Sequence, residues 1–259
     1  MTPVVFFFLF VSLSAVPTRA VDDELLKEVS SDVSQTIARV NSGIRTRLIH
    51  GDILPVRERN ADSCTAVGCK WPKSGNFVYV PVAISSSYTS EERNIIIRSL
   101  LTFHETTCIR FVWRRRTHRN YIYFYSGNGC FSYLGRQSRG QPISLSKRGC
   151  VYLDTVQHEV LHALGFHHEQ VRSDRDNFVS ILTQNIQPGT ESNFRKENTN
   201  NLNTPYDFNS VMHYSKFAFS RNGQPTIVAK ADTNLVFGQA PRMSQNDIDR
   251  VNRLYQCCE

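Results

Sequence analysis

Beyond its first twenty residues this 259-residue chain has no apolar run long enough to cross a bilayer, which takes about 20 consecutive apolar residues in a helix, so a membrane-spanning protein is not expected. No Asn-x-Ser/Thr sequon occurs, and N-linked glycans are not expected. There is no internal repeat, which sets aside solenoids and propellers. No basic run is interleaved with stacking aromatics; the densest cluster, Arg114-Arg115-Arg116, follows a strand-like segment, and a nucleic-acid partner is not expected. No cysteines stand at the spacing of a zinc finger. What is present is a globular composition, 40% hydrophobic with a net charge of +7, enough for one large domain or two small ones. The first 59 residues carry seven basic and seven acidic side chains, so the excess belongs to residues 60–259 and favours acidic partners.

Val4 to Leu13 is a Phe-rich apolar run, followed by Ser14 to Ala20 with small residues at Thr18 and Ala20. That is the pattern of a signal peptide, residues 1–20, cleaved after Ala20, although only the α-amino group supplies positive charge ahead of it. With an export signal, seven cysteines read as disulfides formed in an oxidising compartment, with one left over. Residues 21–59 are polar and cysteine-free, with a weak helical pattern in Leu25, Leu26, Val29 and Val33, and read as an activation pro-segment. Its end, Val56-Arg57-Glu58-Arg59, offers a trypsin-like protease a cut before Asn60-Ala61. Residues 60–259 form the expected mature domain, with no accessory domain expected after the final cysteines.

Within that domain, Cys64 and Cys69 can close a small loop. Asn76 to Ile84 alternates as an edge or first strand tolerant of Pro81, and Thr89-Ser-Glu-Glu92 is a capping box opening a helix to about Thr106. Cys108 to Trp113 and Tyr121 to Tyr125 read as strands. Cys130 to Cys150 frames a Gly- and Ser-rich loop, with a short strand expected near Val151-Tyr152. Val179 to Leu182 fits strand or helix equally. Ser244 caps a final helix to about Gln256, with Ile248, Val251, Leu254 and Tyr255 on one stripe. His104, near the end of its helix, is left out of any site.

The chemistry is concentrated in Thr155-Val-Gln-His-Glu-Val-Leu-His-Ala-Leu-Gly-Phe-His-His-Glu-Gln170. His158 and His162, four residues apart, share one helix face, and both imidazoles reach a single metal ion, the H-E-x-x-H zinc site. A third histidine six residues later, His168, needs the chain to turn back, and Gly165 supplies the turn because glycine takes φ > 0 without steric cost. H-E-x-x-H alone fits an amphipathic helix with two solvated histidines almost as well. The extended pattern arises by chance in roughly one chain of this size in 10⁵ and is a metzincin signature. Three neutral imidazoles leave an open position on one Zn²⁺ for a water, which points to a hydrolase. Glu159, beside His158 but not needed as a ligand, suits a general base.

His158-Glu-Val-Leu-His-Ala-Leu-Gly-Phe-His-His168-Glu169-Gln-Val-Arg172-Ser-Asp174-Arg175-Asp176 resembles the long astacin signature at every fixed position. Ser210-Val-Met212-His-Tyr214 resembles the astacin Met-turn. The resemblance extends over residues 60 to 259. It implies an α+β, two-lobed metzincin (zincin) fold: an N-terminal lobe with a twisted mixed sheet and two long helices, one carrying the zinc motif, and a mostly irregular C-terminal lobe ending in a helix. It implies His158, His162 and His168 as zinc ligands, Glu159 as the base, and Tyr214 as a fifth ligand that swings off to hydrogen-bond the oxyanion. Met212 is implied as the apolar floor under the metal, and Glu169 as the contact of the mature N-terminus after activation. The family's pro-segments carry F-x-G-D, whose Asp occupies the water position; Ile49-His50-Gly51-Asp52 resembles it with Ile49 for the aromatic, so Asp52 is implied as a ligand of the zymogen only. His167 and His213 adjoin site residues but fall outside the pattern.

The family's disulfides imply Cys130 with Cys150, and Cys108 with Cys257 by the Tyr-x-Cys pattern, leaving Cys258 over; the reverse assignment stays open. The additional pair Cys64 and Cys69 resembles the six-cysteine astacins that include hatching enzymes. Cys130-Phe-Ser-Tyr133 corresponds to the family's substrate-binding edge strand. The implied function is a secreted zinc endopeptidase made as a zymogen, a monomer acting on an extracellular protein coat such as the egg envelope after a protease cuts near Arg59-Asn60. The implied location is extracellular, with storage in secretory granules left open. Two other readings stand beside it: an astacin-like protease of mucosal, digestive or immune secretions, and an inactive binding protein that keeps the fold.

Overall fold

The computed structural model describes residues 32–55 and 69–257. The expected signal peptide, the cut at Arg59-Asn60, Cys64 and Cys258 lie outside the described residues. Of residues 21–59, the described stretch contains α1 (Val33–Asn41) and the two-residue strand β1 (Ile53–Leu54).

A mixed sheet organises the N-terminal lobe. β2 (Lys73–Ser74) makes a short antiparallel pair with β3 (Phe77–Ile84), the strand carrying Pro81. β4 (Ile109–Trp113) and β5 (Tyr121–Tyr125) flank β3, both parallel to it. β6 (Cys130–Tyr133) and β7 (Gly140–Leu145) follow, β7 parallel to β5 and β6 antiparallel to β7. Cys130–Tyr133 forms the strand the resemblance implies, and the rest of the Gly- and Ser-rich stretch framed by Cys130 and Cys150, expected as a loop, supplies β7. The apolar residues Phe131, Ile143 and Leu145 of the two strands are all buried, a burial pattern that outweighs the weak strand propensity of Gly and Ser. The short strand expected near Val151-Tyr152 does not form; Tyr152 is the N-cap of the next helix.

Period-two alternation divides the sheet's two faces. Val78, Val80, Ile109, Ile122, Phe124 and Ile143 point inward, each fully buried, and share one core with two helices. The first is α2 (Ser90–Thr106), opened by the reciprocal Thr89/Glu92 capping box. It buries Ile96, Leu100 and Phe103. The second is α3 (Leu153–Leu164), whose twelve residues are all buried although half of them, Asp154, Thr155, Gln157, His158, Glu159 and His162, are polar. His104 of α2 accepts the backbone N–H of Phe111 at 2.7 Å, a structural role.

The C-terminal lobe has a second, smaller core built on Val179, Ile186, Phe194, Tyr206, Tyr214 and Ile227. Val179 to Leu182 resolves as strand: β8 (Val179–Ile181) pairs antiparallel with β9 (Ile227–Ala229). The lobe ends in α4 (Gln245–Tyr255), capped by Ser244 and Asp247. Disulfides join Cys108 to Cys257 and Cys130 to Cys150, and Cys69 is also disulfide-bonded. No described helix is long and apolar enough to cross a membrane.

Candidate metal centre

α3 presents His158 and His162 from successive turns, and its end is fixed by Gly165 at φ 112°. In that left-handed conformation the Phe166 N–H donates to Leu161 O at 3.0 Å, and the reversed chain returns His168 to the other two histidines. The Nε2 atoms of His162 and His168 lie 3.1 and 3.2 Å from that of His158. Ligands about 2.05 Å from a tetrahedral zinc sit about 3.3 Å apart, so the three nitrogens already stand at the edge length of such a site.

The tautomers fit as well. Nδ1 of His158 meets Val211 O at 2.9 Å and Nδ1 of His162 meets Phe166 O at 2.7 Å. A carbonyl only accepts, so Nδ1 carries the proton in both rings and Nε2 keeps a lone pair, the arrangement a neutral imidazole ligand requires. Lone pairs converging in a buried site repel unless a cation lies between them. Asp52 completes the group, its Oδ2 3.1 Å from both His158 and His168 and its Oδ1 3.4 Å from His162. Together these four buried side chains are suited to one zinc ion.

Asp52 is displayed by a closed turn in which Ile49 and Ile53 exchange N–H···O bonds of 2.8 and 2.9 Å. His50 at φ 49° and Gly51 at φ 82° take the left-handed region between them. A Cβ on Gly51 would meet the Phe219 ring at 2.9 Å and the Tyr214 hydroxyl at 3.3 Å, so glycine is required twice over. Ile49, in the place of the family's aromatic, is 43% exposed and does not anchor the turn by burial. The anchors are polar residues that sequence reading did not single out. His50 Nε2 pairs with Glu197 at 2.9 Å. Asn41, at the end of α1, donates to Gly51 O at 2.8 Å and to Cys130 O at 2.7 Å, and accepts from Cys130 N at 2.8 Å. β1 then lies parallel to β6 along its edge, while Ser34 of α1 accepts the Ser215 N–H at 2.9 Å. The segment is therefore tied to both lobes.

Glu159 follows His158 on α3, with both carboxylate oxygens buried and without a hydrogen-bond partner among the described residues. Burial first, and the Asp52 charge second, raise its pKa well above the usual carboxylate range. The Tyr214 ring packs against His168, centroids 4.7 Å apart, and its hydroxyl donates to the His50 carbonyl; burial, then Asp52, raises its pKa. Met212 is buried in the first core while Tyr214 belongs to the second, so the turn carrying them straddles the lobes. Asp247, readable in sequence only as a helix cap, holds that turn by accepting from Ser210 Oγ at 2.6 Å and Val211 N at 3.0 Å. Glu169 is 2% exposed, receives two bonds from Arg250 at 2.5 and 2.7 Å and accepts the Asp207 N–H at 2.8 Å. His167 and His213 lie outside the metal group; burial lowers each to about 4.

The profile of the Astacin peptidase family matches residues 65–256. Among curated relatives, High choriolytic enzyme 2 of Oryzias latipes is 45% identical over 228 residues, 87% of this chain and 81% of that one. Low choriolytic enzyme of the same fish is 41% identical over 238 residues, 91% of this chain and 88% of the relative. The solved structure of High choriolytic enzyme 1, a hatching enzyme zinc-protease from medaka, superposes with a TM-score of 0.73 at 44% identity, covering 76% of this chain and all of the other.

Proposed function

Since the chain belongs to the astacin family and is a zinc metalloendopeptidase of that family, we propose that it is secreted as a latent precursor and, once cut near Arg59-Asn60, degrades an extracellular protein coat of the egg-envelope kind. The observation that carries latency is Asp52, whose carboxylate meets all three histidines. The substrate class rests on the likeness to choriolytic relatives.

When bound, zinc supplies Lewis acidity that polarises a peptide carbonyl and brings the pKa of a water to about 7. His158, His162 and His168 hold it. Departure of residues 32–55 takes Asp52 away, and with it the negative charge that, after burial, raises Glu159. Glu159 is then free to take a proton from the attacking water and hand it to the leaving amine. The same departure releases the Tyr214 hydroxyl from the His50 carbonyl, so that it can donate to the developing oxyanion. It also vacates the edge of β6 held by β1, where an extended substrate adds as a strand. Glu169, held by Arg250 before the cut, is the acceptor for the new α-amino group at Asn60.

The full chain, expressed with zinc and treated with trypsin, tests this. Latency before the cut, an N-terminus at Asn60, and chelator-sensitive cleavage of both casein and egg-envelope protein afterwards are expected. Processed, zinc-loaded protein that cleaves neither would overturn the reading and favour a binding protein. Cleavage of casein with egg envelope left intact would move the substrate to mucosal, digestive or immune secretions.

A further inference from the structure

The positive charge of this chain is not spread over its surface. Residues 69–150 hold thirteen Lys and Arg against three acidic residues, a balance of +10, while the whole chain carries +7. All three acids, Glu91, Glu92 and Glu105, ride on α2, which packs on the inner face of the sheet. The strands β3 to β7 and the turn at 114–120 contain no carboxylate side chain.

Strand register collects the basic and aromatic residues on the outer face. In-register partners share a face, so Tyr79 stands beside Arg110, Ala83 beside Tyr123, and Tyr121 beside Gly140. A Cβ at Gly140 would meet the Tyr121 ring at 2.4 Å. The absent side chain thus lets that ring lie against the backbone, and the Arg114 guanidinium sits 3.9 Å above its centroid. Arg110 covers Phe77 in the same way at 4.4 Å. Arg110 spends its Nη1 on the carbonyls of Thr107 and Ile109, whereas a guanidinium held over a ring with its N–H groups unspent can meet sulfate or carboxylate oxygens two at a time. Among the described residues, Arg114, Arg115, Arg116, Arg119 and Arg139 form no salt bridge. Among the described residues no guanidinium lies over Tyr79 or Tyr123, which are 44% and 39% exposed, and the Tyr123 ring stacks beside that of Tyr125.

We propose that this outer sheet face, with the adjoining β4–β5 turn, is a docking surface for an acidic polysaccharide. Arginines take the sulfates or carboxylates, and the exposed parts of the tyrosine rings stack on the apolar faces of the sugars. Peptides are a poorer fit: β3 and β5, which carry the tyrosines, are hydrogen-bonded on both sides, so a strand could add only along the outer edge of β4. Disulfides at Cys108–Cys257 and Cys130–Cys150 belong to an oxidising compartment, where long polyanions are acidic glycans rather than nucleic acids. The metal centre is built on α3, on the other side of the sheet, so docking leaves the cleft open and holds the protease beside its substrate.

Heparin serves as the probe, with the full-length chain. Retention at physiological salt, about 0.15 M, is expected, and none on neutral dextran. Charge reversal by Arg114→Glu, Arg115→Glu and Arg119→Glu together should weaken heparin binding at least about tenfold, while the trypsin-activated variant hydrolyses a short soluble peptide at the wild-type rate. Should the triple variant misfold, the single Arg115→Glu, whose side chain forms no ion pair among the described residues, is read instead and should lower the salt needed for elution. Tyr123→Ala should weaken binding severalfold with no change in charge. Variants that elute with the wild type would overturn the proposal. So would tighter binding to polyglutamate or single-stranded DNA than to heparin, which would give the face to a protein or nucleic-acid partner.

Discussion

Asp52, Glu159 and Tyr214 are coupled through one carboxylate charge. Asp52→Ala removes the acceptor that fills the metal site from outside the catalytic domain, and the uncut chain is expected to gain peptidase activity. An uncut variant as inert as the wild type, measured with a quenched peptide, would sink the latency argument. Glu159→Gln keeps the size of the side chain but cannot accept the water proton. Its kcat is expected to fall by a factor of about 10² to 10⁴, with zinc content by atomic absorption unchanged. Tyr214→Phe leaves the ring against His168 and removes only the donor. A loss of about 10² to 10³ in kcat with little change in KM is expected if the hydroxyl acts on the oxyanion, whereas an unchanged kcat would make Tyr214 a packing residue alone.

At the level of elements, the turn Ser210 to Tyr214 depends on α4, through the two bonds from Ser210 and Val211 to Asp247. Asp247→Ala leaves those donors unpaired in a buried place and removes a cap, and is expected to cost about 2–4 kcal/mol in denaturant unfolding. Asp174 offers a pH-dependent case. Its bonded Arg172 lowers its pKa below 3.8, so its folded value lies under its unfolded one. The stability it adds is complete above about pH 4 and disappears as pH falls through the folded value. The stability gap between wild type and Asp174→Asn should therefore be present at neutral pH and close in acid.

These contacts also mark how far the sequence could be read. The zinc helix, the glycine turn and the alternating strands were legible because each rests on residues within one turn or one strand. The strand β7 was not, since its strand character comes from pairing with β5 and burial rather than from propensity, and β6 was read only through the family resemblance. Asn41, Glu197 and Arg250 were equally hidden. Each is an ordinary polar residue whose partner lies 89, 147 or 81 positions away, and no local pattern signals such a pair.

Across the whole molecule, His158, His162 and His168 are 1% exposed or less beneath a segment fastened to both lobes. A chelator reaches the metal only when that segment opens. Zinc loss to a strong chelator is expected to be at least about tenfold slower from the uncut chain than from the activated enzyme, because exchange from a closed site waits on local opening. Equal rates would show that the segment does not cover the site in solution. The turn that presents Asp52 also has a use apart from the chain. It is closed on itself by the two bonds between Ile49 and Ile53, so much of its shape needs no surrounding protein. At Gly51 the φ of 82° is one that a D-amino acid adopts without strain, and its side chain would project away from the position an L-residue's Cβ would take against Phe219. A cyclic peptide of residues 49–53 with D-alanine at position 51 is thus a preorganised template for a small-molecule inhibitor of the activated enzyme. Its aspartate-to-asparagine analogue, measured alongside, should lose most of the potency.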